Sequence, residues 1–563
     1  MDTGGGDPDR GTLVARRAHR GGAAPLPRWA RRGAALLPAG GGGGRVGGVR
    51  GLHALTLGDL LDENARRFPQ RTAVVCGEER LTFPAFHQRA RRCATMLSDL
   101  GVAEGDRVAW FAQNCHRYLE TFFACALLGA VAVPLNWRVT AAELEGLLDS
   151  TAPRLVLYQR REVGDVADAA RGEGGGSPWI AIDDPSSGGY DARRDAATSG
   201  LPQLDVDDDA PVLQMYTAAF TGRPRGALLT HRGLVAQNLA QIIALGLGAG
   251  DAYLCSGPFF HIATFMTASA HFHIGAKNVL LPRADGAEIA RLIDAERITG
   301  ALIMPPTITD VVAAAKAHGY RLASLRVPPT PERPDNREWL EMTSRLPGIP
   351  AGYGQTEVHG LATLNLLALD GMGAQGVASP VALVRLLDPD GDDVPPGEVG
   401  EIAVKGPLVM AGYAGEPSPP EQTGWRRCND LGRREEDGTI TFIGPRTELI
   451  KTGAENVYPI EVENALRAHP SVHDVCVIGV PDATWGQSVK AVVEPAEGAT
   501  IDVDELIAFC RERIASYKKP RQVDVVAALP RTATGAVDRE VVRDRRGGGG
   551  AVGLGTATAT QHR

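Results

Sequence analysis

The segment Tyr216–Gly226 reads YTAAFTGRPRG and concentrates groups able to hold an anion. It carries the hydroxyls of Thr217 and Thr221, the glycines Gly222 and Gly226, and the cations Arg223 and Arg225. An apolar run, PVLQMYT, leads into it with the character of a buried strand, and Leu234, Ala240, Ile242 and Ile243 follow at helical spacing. A turn of small and hydroxylated residues between a strand and a helix points backbone N–H groups at one spot, where a phosphate can sit. A plain Gly/Pro surface turn has a similar composition, so the rest of the chain must decide between them.

Further motifs lie along the chain. They are GAVAVPLN (129–136), GPFFH (257–261), GYGQTE (352–357), GWRRCNDLGR (424–433), IKTGAENVYPIEVE (450–463) and SYKKPR (516–521). Together with YTAAFTGRPRG, this ordered set over roughly residues 52–540 resembles the AMP-forming acyl-CoA synthetases and related adenylating enzymes. Their phosphate loop usually reads YTSGTTGxPKG. The resemblance implies a two-step reaction. A carboxylate displaces pyrophosphate from the α-phosphorus of ATP, and the thiol of coenzyme A then displaces AMP from the acyl adenylate. Both steps need negative charge neutralised where it develops. ATP, Mg²⁺, coenzyme A and a small carboxylic acid are therefore the expected ligands.

By the same resemblance, Thr217, Thr221, Gly222, Arg225 and Gly226 hold the β- and γ-phosphates. Tyr353, followed by Gly354 and Gln355, lies near adenine, Thr356 touches the α-phosphate, and Glu357 with Thr217 holds Mg²⁺, a hard oxygen-seeking ion. Asp430 accepts the ribose hydroxyls, Arg446 stands beside the position of a family arginine, and Lys451 reaches the adenylate. Thr217, Glu357 and Lys451 are the expected catalytic groups, and Gly453 lies on the pantetheine path. His261 and Phe265, with Met266 and Ala268, flank an apolar acyl pocket, which favours a fatty or aromatic acid. SYKKPR is expected as a solvated basic segment that contributes to coenzyme A phosphate binding.

Several positions depart from the family pattern. Ala218, Ala219 and Phe220 replace residues that supply hydroxyls and a flexible glycine, and Arg225 stands for lysine. The family's Gly-Gly-Ala stretch after SLR (324–326) is VPPTPERP here, and Pro445 takes the place of an arginine. The family's terminal Gly-Lys pair is Gly535-Ala536. Losing one preorganised donor at developing charge costs about 10²–10³ in rate, so the first step is expected to be slow unless another cation substitutes. Two other readings stand beside the acyl-CoA synthetase. One is a ligase passing the acyl group to an amine or a carrier-protein thiol; the other is a non-catalytic binder of acyl adenylate or acyl-CoA.

The elements that must carry these motifs alternate between strand and helix. TAVVC (72–76), LTF (81–83), RVAWFA (107–112), AVAVPL (130–135) and RLVLY (154–158) read as strands. Helices are expected at Phe86 to Leu100, at Tyr118 to Leu128, and from a Thr140/Glu143 capping box through Leu148. That alternation predicts an α/β fold with mostly parallel sheets covered by helices. Residues 160–210, with GEGGGS and DVDDD, read as an exposed loop region. Short strands and Gly/Pro/Asp turns over 376–443 predict a barrel-like antiparallel subdomain inside a large N-terminal domain (51–444). A small α+β domain (445–544) follows, joined by a hinge near GPRTELIK (444–451).

Bulk properties narrow the class. The chain has 563 residues, 44% hydrophobic and 22% charged, with a formal net charge of −8. Such a length calls for more than one domain, and the balance argues against a nucleic-acid binder. No apolar run reaches the ~20 residues of a transmembrane span. The eight cysteines are scattered singly without a CxxC pair, which fits a reducing, cytoplasmic location. A homodimer or a carrier protein is a further candidate partner. Residues 1–50, rich in Gly, Ala and Arg, and the Gly-rich tail 545–563 are expected to be disordered, being unable to bury enough apolar surface. The first segment lacks Ser, against the targeting-peptide pattern.

Overall fold

A computed structural model describes residues 55–171, 176–198, 204–217, 224–327 except 304, 337–345 and 352–365. It further describes 371–416 except 389, 424–445, 450–531 except 454 and 458, and 537–547. The expectations for residues 1–50 and for the end of the tail lie outside these. Arg545 and Arg546, counted above with the tail, belong instead to the helix Arg539–Arg546.

The fold is α/β, with a large N-terminal domain and a small C-terminal one. Its central sheet has seven strands in the order Gly412–Tyr413, Arg225–Thr230, Pro211–Thr217, Val131–Pro134, Arg107–Phe111, Leu155–Tyr158, Trp179–Ala181. The five strands from Pro211–Thr217 onward run parallel, and the other two are antiparallel to their neighbours. A second sheet of five strands pairs Thr72–Cys76 with Lys277–Leu280 in parallel and ends on the antiparallel strand Glu79–Thr82. Strands such as Val131–Pro134 and Leu155–Tyr158 are buried along their whole length, as apolar runs covered on both faces must be. The capping box at Thr140 forms as expected and opens the helix Ala141–Thr151. Among the described residues no helix is long and apolar enough to cross a membrane, and all eight thiols are free.

Three expectations are corrected. The turn after Thr217 does not lead straight into a helix. The strand Arg225–Thr230 intervenes, folds back on Pro211–Thr217, and only then does the helix His231–Leu245 begin. RGALLT satisfies its backbone by pairing on both edges, which local periodicity does not show.

Residues 160–210 are not simply a loop. They contain the helix Arg160–Ala170, whose Val163, Ala167 and Ala170 pack into an apolar cluster with the strand Trp179–Ala181, and the helix Tyr190–Ala196, whose Tyr190 and Arg194 are drawn inside against Glu120. The β-rich stretch is an open four-stranded antiparallel sheet (Leu383–Leu387, Val399–Lys405, Arg426–Arg434, Ile440–Pro445) rather than a barrel. Its Gly412–Tyr413 segment leaves to join the central sheet.

The C-terminal elements follow expectation. The helices Pro459–Arg467 and Val503–Arg513 cover a sheet of Val472–Asp482, Gly486–Pro495 and Gln522–Val525. That sheet also gains a hairpin, Ile450–Thr452 and Glu455–Val457.

Candidate functional site

Thr217 ends a buried strand directly opposite Arg225, so the intervening loop is anchored at both ends. Thr221 and Gly222 lie outside the described residues. Gly226 pairs with Tyr216, and a Cβ there would come within 2.5 Å of the Gln214 side chain. Arg225 does not stand free. Its guanidinium lies 3.4 Å from the centre of the Tyr413 ring and grips Glu416 with two nitrogens, the Nε bond measuring 2.7 Å.

Glu357 sits in the short 3₁₀ turn Thr356–Val358. Its Oε1 accepts from Thr217 Oγ1 at 3.2 Å and from the Tyr413 hydroxyl at 2.7 Å. Arg426 donates to the same hydroxyl at 2.9 Å. Burial and the Glu357 carboxylate push the Tyr413 phenol up, so it stays a donor at neutral pH.

The turn is pinned from below by His359, which takes a left-handed backbone (φ 55°) and is fully buried. Its Nε2 accepts from Thr230 N at 2.9 Å, leaving Nδ1 to donate to Leu408 O at 2.6 Å. Burial lowers its pKa to about 4, so this imidazole is neutral. Gly354 is required for a different reason, since a Cβ would meet Gly360 O at 1.8 Å.

Asp430 closes the other end. It accepts from the Tyr353 hydroxyl at 2.8 Å and from Gln355 Nε2 at 3.2 Å, while Gln355 also donates to Cys428 O. Burial raises the Asp430 pKa, opposed by the Tyr353 bond and by Lys451. Tyr353 stacks on Phe442 at 5.9 Å, and Lys451 Nζ lies 5.3 Å from the centre of the Phe442 ring. Thr217, Arg225, Gly226, Tyr353, Gly354, Gln355, Thr356, Glu357, Asp430 and Lys451 thus fall on one connected arrangement. Arg446 lies outside the described residues.

The hairpin from the small domain reaches the segments that carry Arg138 and His261. Gly453 (φ 62°) turns it, donating to Trp485 O at 2.8 Å with the Trp485 ring against its α-carbon. Glu455 then approaches His261 Nε2 at 3.4 Å and pairs with Arg138. Burial alone would raise the Glu455 pKa, but these two groups bring it down to about 2. His261 precedes the helix Ile262–His273. Phe265 is no open pocket wall, being 2% exposed and packed on Phe122 and Tyr118.

SYKKPR also differs from expectation. Lys518 is 7% exposed rather than solvated, bound to Glu143 at 3.2 Å and to Glu461. Ala515 N donates to the same Glu143 oxygen at 3.0 Å.

Four contributors were missed. Tyr413 lies outside the quoted motifs, and Arg426 lies inside GWRRCNDLGR, of which only Asp430 was given a role. His359 directly follows GYGQTE and Val358, and Glu455 was read only as a member of the motif IKTGAENVYPIEVE. Among the described residues, no three His, Cys, Asp or Glu side chains gather to hold a metal by themselves.

Comparisons with known proteins bear on this arrangement. The AMP-binding enzyme family model matches residues 61–414, and the AMP-binding enzyme C-terminal domain matches 461–536. A feruloyl-CoA synthase from an Amycolatopsis species is 36% identical over 87% of this chain and 99% of its own length. An indoleacetate–CoA ligase from Aromatoleum aromaticum is 34% identical over 87% of this chain and 98% of its own. Among solved structures, a double mutant of o-succinylbenzoate CoA synthetase (MenE) from Bacillus subtilis, bound to a product analogue, superposes with a TM-score of 0.73. It is 26% identical over 86% of this chain and 98% of that one.

Proposed function

Since the chain belongs to the AMP-binding enzyme family, as an AMP-forming acid–thiol ligase, we propose that it activates an apolar, ring-bearing carboxylic acid and transfers it to coenzyme A. The observation that carries this reading is that the Thr217–Glu357 and Tyr353–Asp430 pairs share one short segment, with Lys451 of the small-domain hairpin over Phe442 beside Tyr353 and Glu455 of the same hairpin against His261. The polyphosphate of ATP would lie at Thr217 and Glu357, and its ribose at Asp430. Feruloyl and indoleacetate groups both carry an aromatic ring, which supports the acid's class. A hard divalent ion fits the donor set. Thr217 and Glu357 offer adjoining oxygens, and Mg²⁺ commonly completes its shell with phosphates and water. When bound it would supply charge neutralisation at the phosphates.

In the first step Glu357 orients the nucleotide and Tyr413 keeps that carboxylate in place. In the second, the hairpin carrying Gly453 and Glu455 shields the acyl group from water while the thiol approaches beside Trp485. Arg521, 5.2 Å from the Trp485 ring centre, supplies positive charge on that path.

The test has two arms. The protein is given ATP, Mg²⁺ and a panel of aryl-bearing acids, with pyrophosphate release followed. Separately it is given premade acyl adenylate and coenzyme A. Release in the first arm and thioester in the second is the expected result. Adenylate that is made but passed only to an amine or a carrier protein would reject coenzyme A as acceptor, and silence in both arms would reject the enzyme reading.

The docked small domain makes a second expectation. Lys518 satisfies Glu143, which also caps the helix Ala141–Thr151, so Lys518→Met leaves two partly buried carboxylates without their cation. Breaking one side of a buried interfacial charge pair costs about 2–5 kcal/mol. Thioester formation from premade adenylate should therefore fall at least about tenfold, with a smaller change in pyrophosphate release. Equal losses in the two arms would mean general destabilisation rather than undocking.

A further inference from the structure

The lysine that the family carries at position 536 is absent here, so charge developing during adenylation must be met by other cations. The nearest cations in sequence are committed elsewhere. Arg531 is held by Asp474 at 2.9 Å, and Arg539 by Glu463 and Val477 O at 2.6 Å each. Arg225 is engaged by Glu416, and Lys451 lies over Phe442 at the ribose end.

Arg426 differs from all of these. It stands on the strand Arg426–Arg434, which also carries Asp430, but at the end that meets Glu357. Its guanidinium touches the Tyr413 hydroxyl, and no carboxylate lies within ion-pair distance among the described residues. Its Nε is buried with no hydrogen-bond partner. A buried cationic N–H left unsatisfied is costly unless something occupies its place in the working state.

We infer that Arg426 is a phosphate-facing residue that meets the β- and γ-phosphates of ATP and takes over charge neutralisation during adenylation. The ordering of groups supports it. Asp430 marks the ribose end and Thr217 with Glu357 the phosphate end, so a nucleotide laid between them passes Arg426. A guanidinium offers several donors in a fixed plane, suited to two phosphate oxygens at once. Tyr413 holds it in that plane, with Arg225 on the same ring. The inference rests on the nucleotide placement proposed above.

The test compares Arg426→Gln, Arg426→Lys and Tyr413→Phe with the unmodified protein. Binding of a non-hydrolysable ATP analogue is measured by calorimetry, alongside pyrophosphate release against ATP concentration. Arg426→Gln should weaken analogue binding about tenfold and slow adenylation about 10²-fold, with the loss concentrated in that step. Arg426→Lys should regain most of the binding, and Tyr413→Phe should cost less than Arg426→Gln. Unchanged binding and adenylation in Arg426→Gln, in protein that melts normally, would overturn the assignment. Losses in Tyr413→Phe equal to those in Arg426→Gln, with no more in the double variant, would overturn it too, making Arg426 only a support for Tyr413. Failure of the unmodified protein to bind the analogue would instead remove the nucleotide placement itself.

Discussion

Replacing Glu357 by Gln should lower pyrophosphate release about 10²–10³-fold while leaving the fold intact. Gln keeps an oxygen that can accept from Thr217 and from Tyr413, so the hydrogen bonds at 3.2 and 2.7 Å have a partner. What disappears is the carboxylate charge beside Thr217, at one foot of the phosphate loop. Its loss removes a hard oxygen ligand for the divalent ion that accompanies ATP. Raising Mg²⁺ should recover part of the rate, because a weakened site fills by mass action. Thermal melting without ligand should shift little, since the 3₁₀ turn is held by His359 and by Met410 N donating to Glu357 O. Normal adenylation in E357Q at low Mg²⁺ would show that the carboxylate only braces the turn.

The contrast between Glu357 and His359 shows what was readable beforehand. Glu357 lies in a motif that the family resemblance singles out for phosphate and metal binding, and the structure brings it to Thr217. His359 has no such company in sequence. Its role depends on Thr230 and Leu408, residues that meet only through strand pairing.

The same separation hid the strand Arg225–Thr230, whose edges are completed by Pro211–Thr217 and Gly412–Tyr413. Local periodicity named the parallel strands well because both their faces are apolar. It failed over residues 160–210, where the helix Arg160–Ala170 shows only a narrow apolar stripe (Val163, Ala167, Ala170) and the helix Tyr190–Ala196 is held by a buried charge. Lys518 failed in the opposite sense: a basic run reads as solvated, yet two carboxylates from distant segments enclose it. Asp430 and Tyr353 were legible as separate motif members, and their direct hydrogen bond links two motifs that lie far apart in the chain.

That buried charge leads to the largest expected effect on stability. Glu120 is fully buried and accepts from Arg194 at 3.0 Å and from the Tyr190 hydroxyl at 3.1 Å. Arg89 Nε lies 2.7 Å from its other oxygen, though poorly aligned for a hydrogen bond. Burial raises the Glu120 pKa, and the two arginines oppose the rise.

Glu120→Ala would strand Arg194, itself only 4% exposed, and Tyr190 inside the protein. Removing one partner of such a group costs about 3–5 kcal/mol. Arg194 keeps Asp191 at 2.8 Å and Arg89 keeps Glu79 at 3.2 Å, so the lower end of that range is expected. Denaturant unfolding should show the loss, and the helix Tyr190–Ala196 should become protease-sensitive first.

Replacing Glu120 and Arg194 together by Met removes both charges, and well-packed apolar pairs are often as stable as the ion pair they replace. The double variant should therefore recover much of the single variant's loss. A double variant as unstable as Glu120→Ala would mean that the site depends on Tyr190 and packing volume rather than on charge balance.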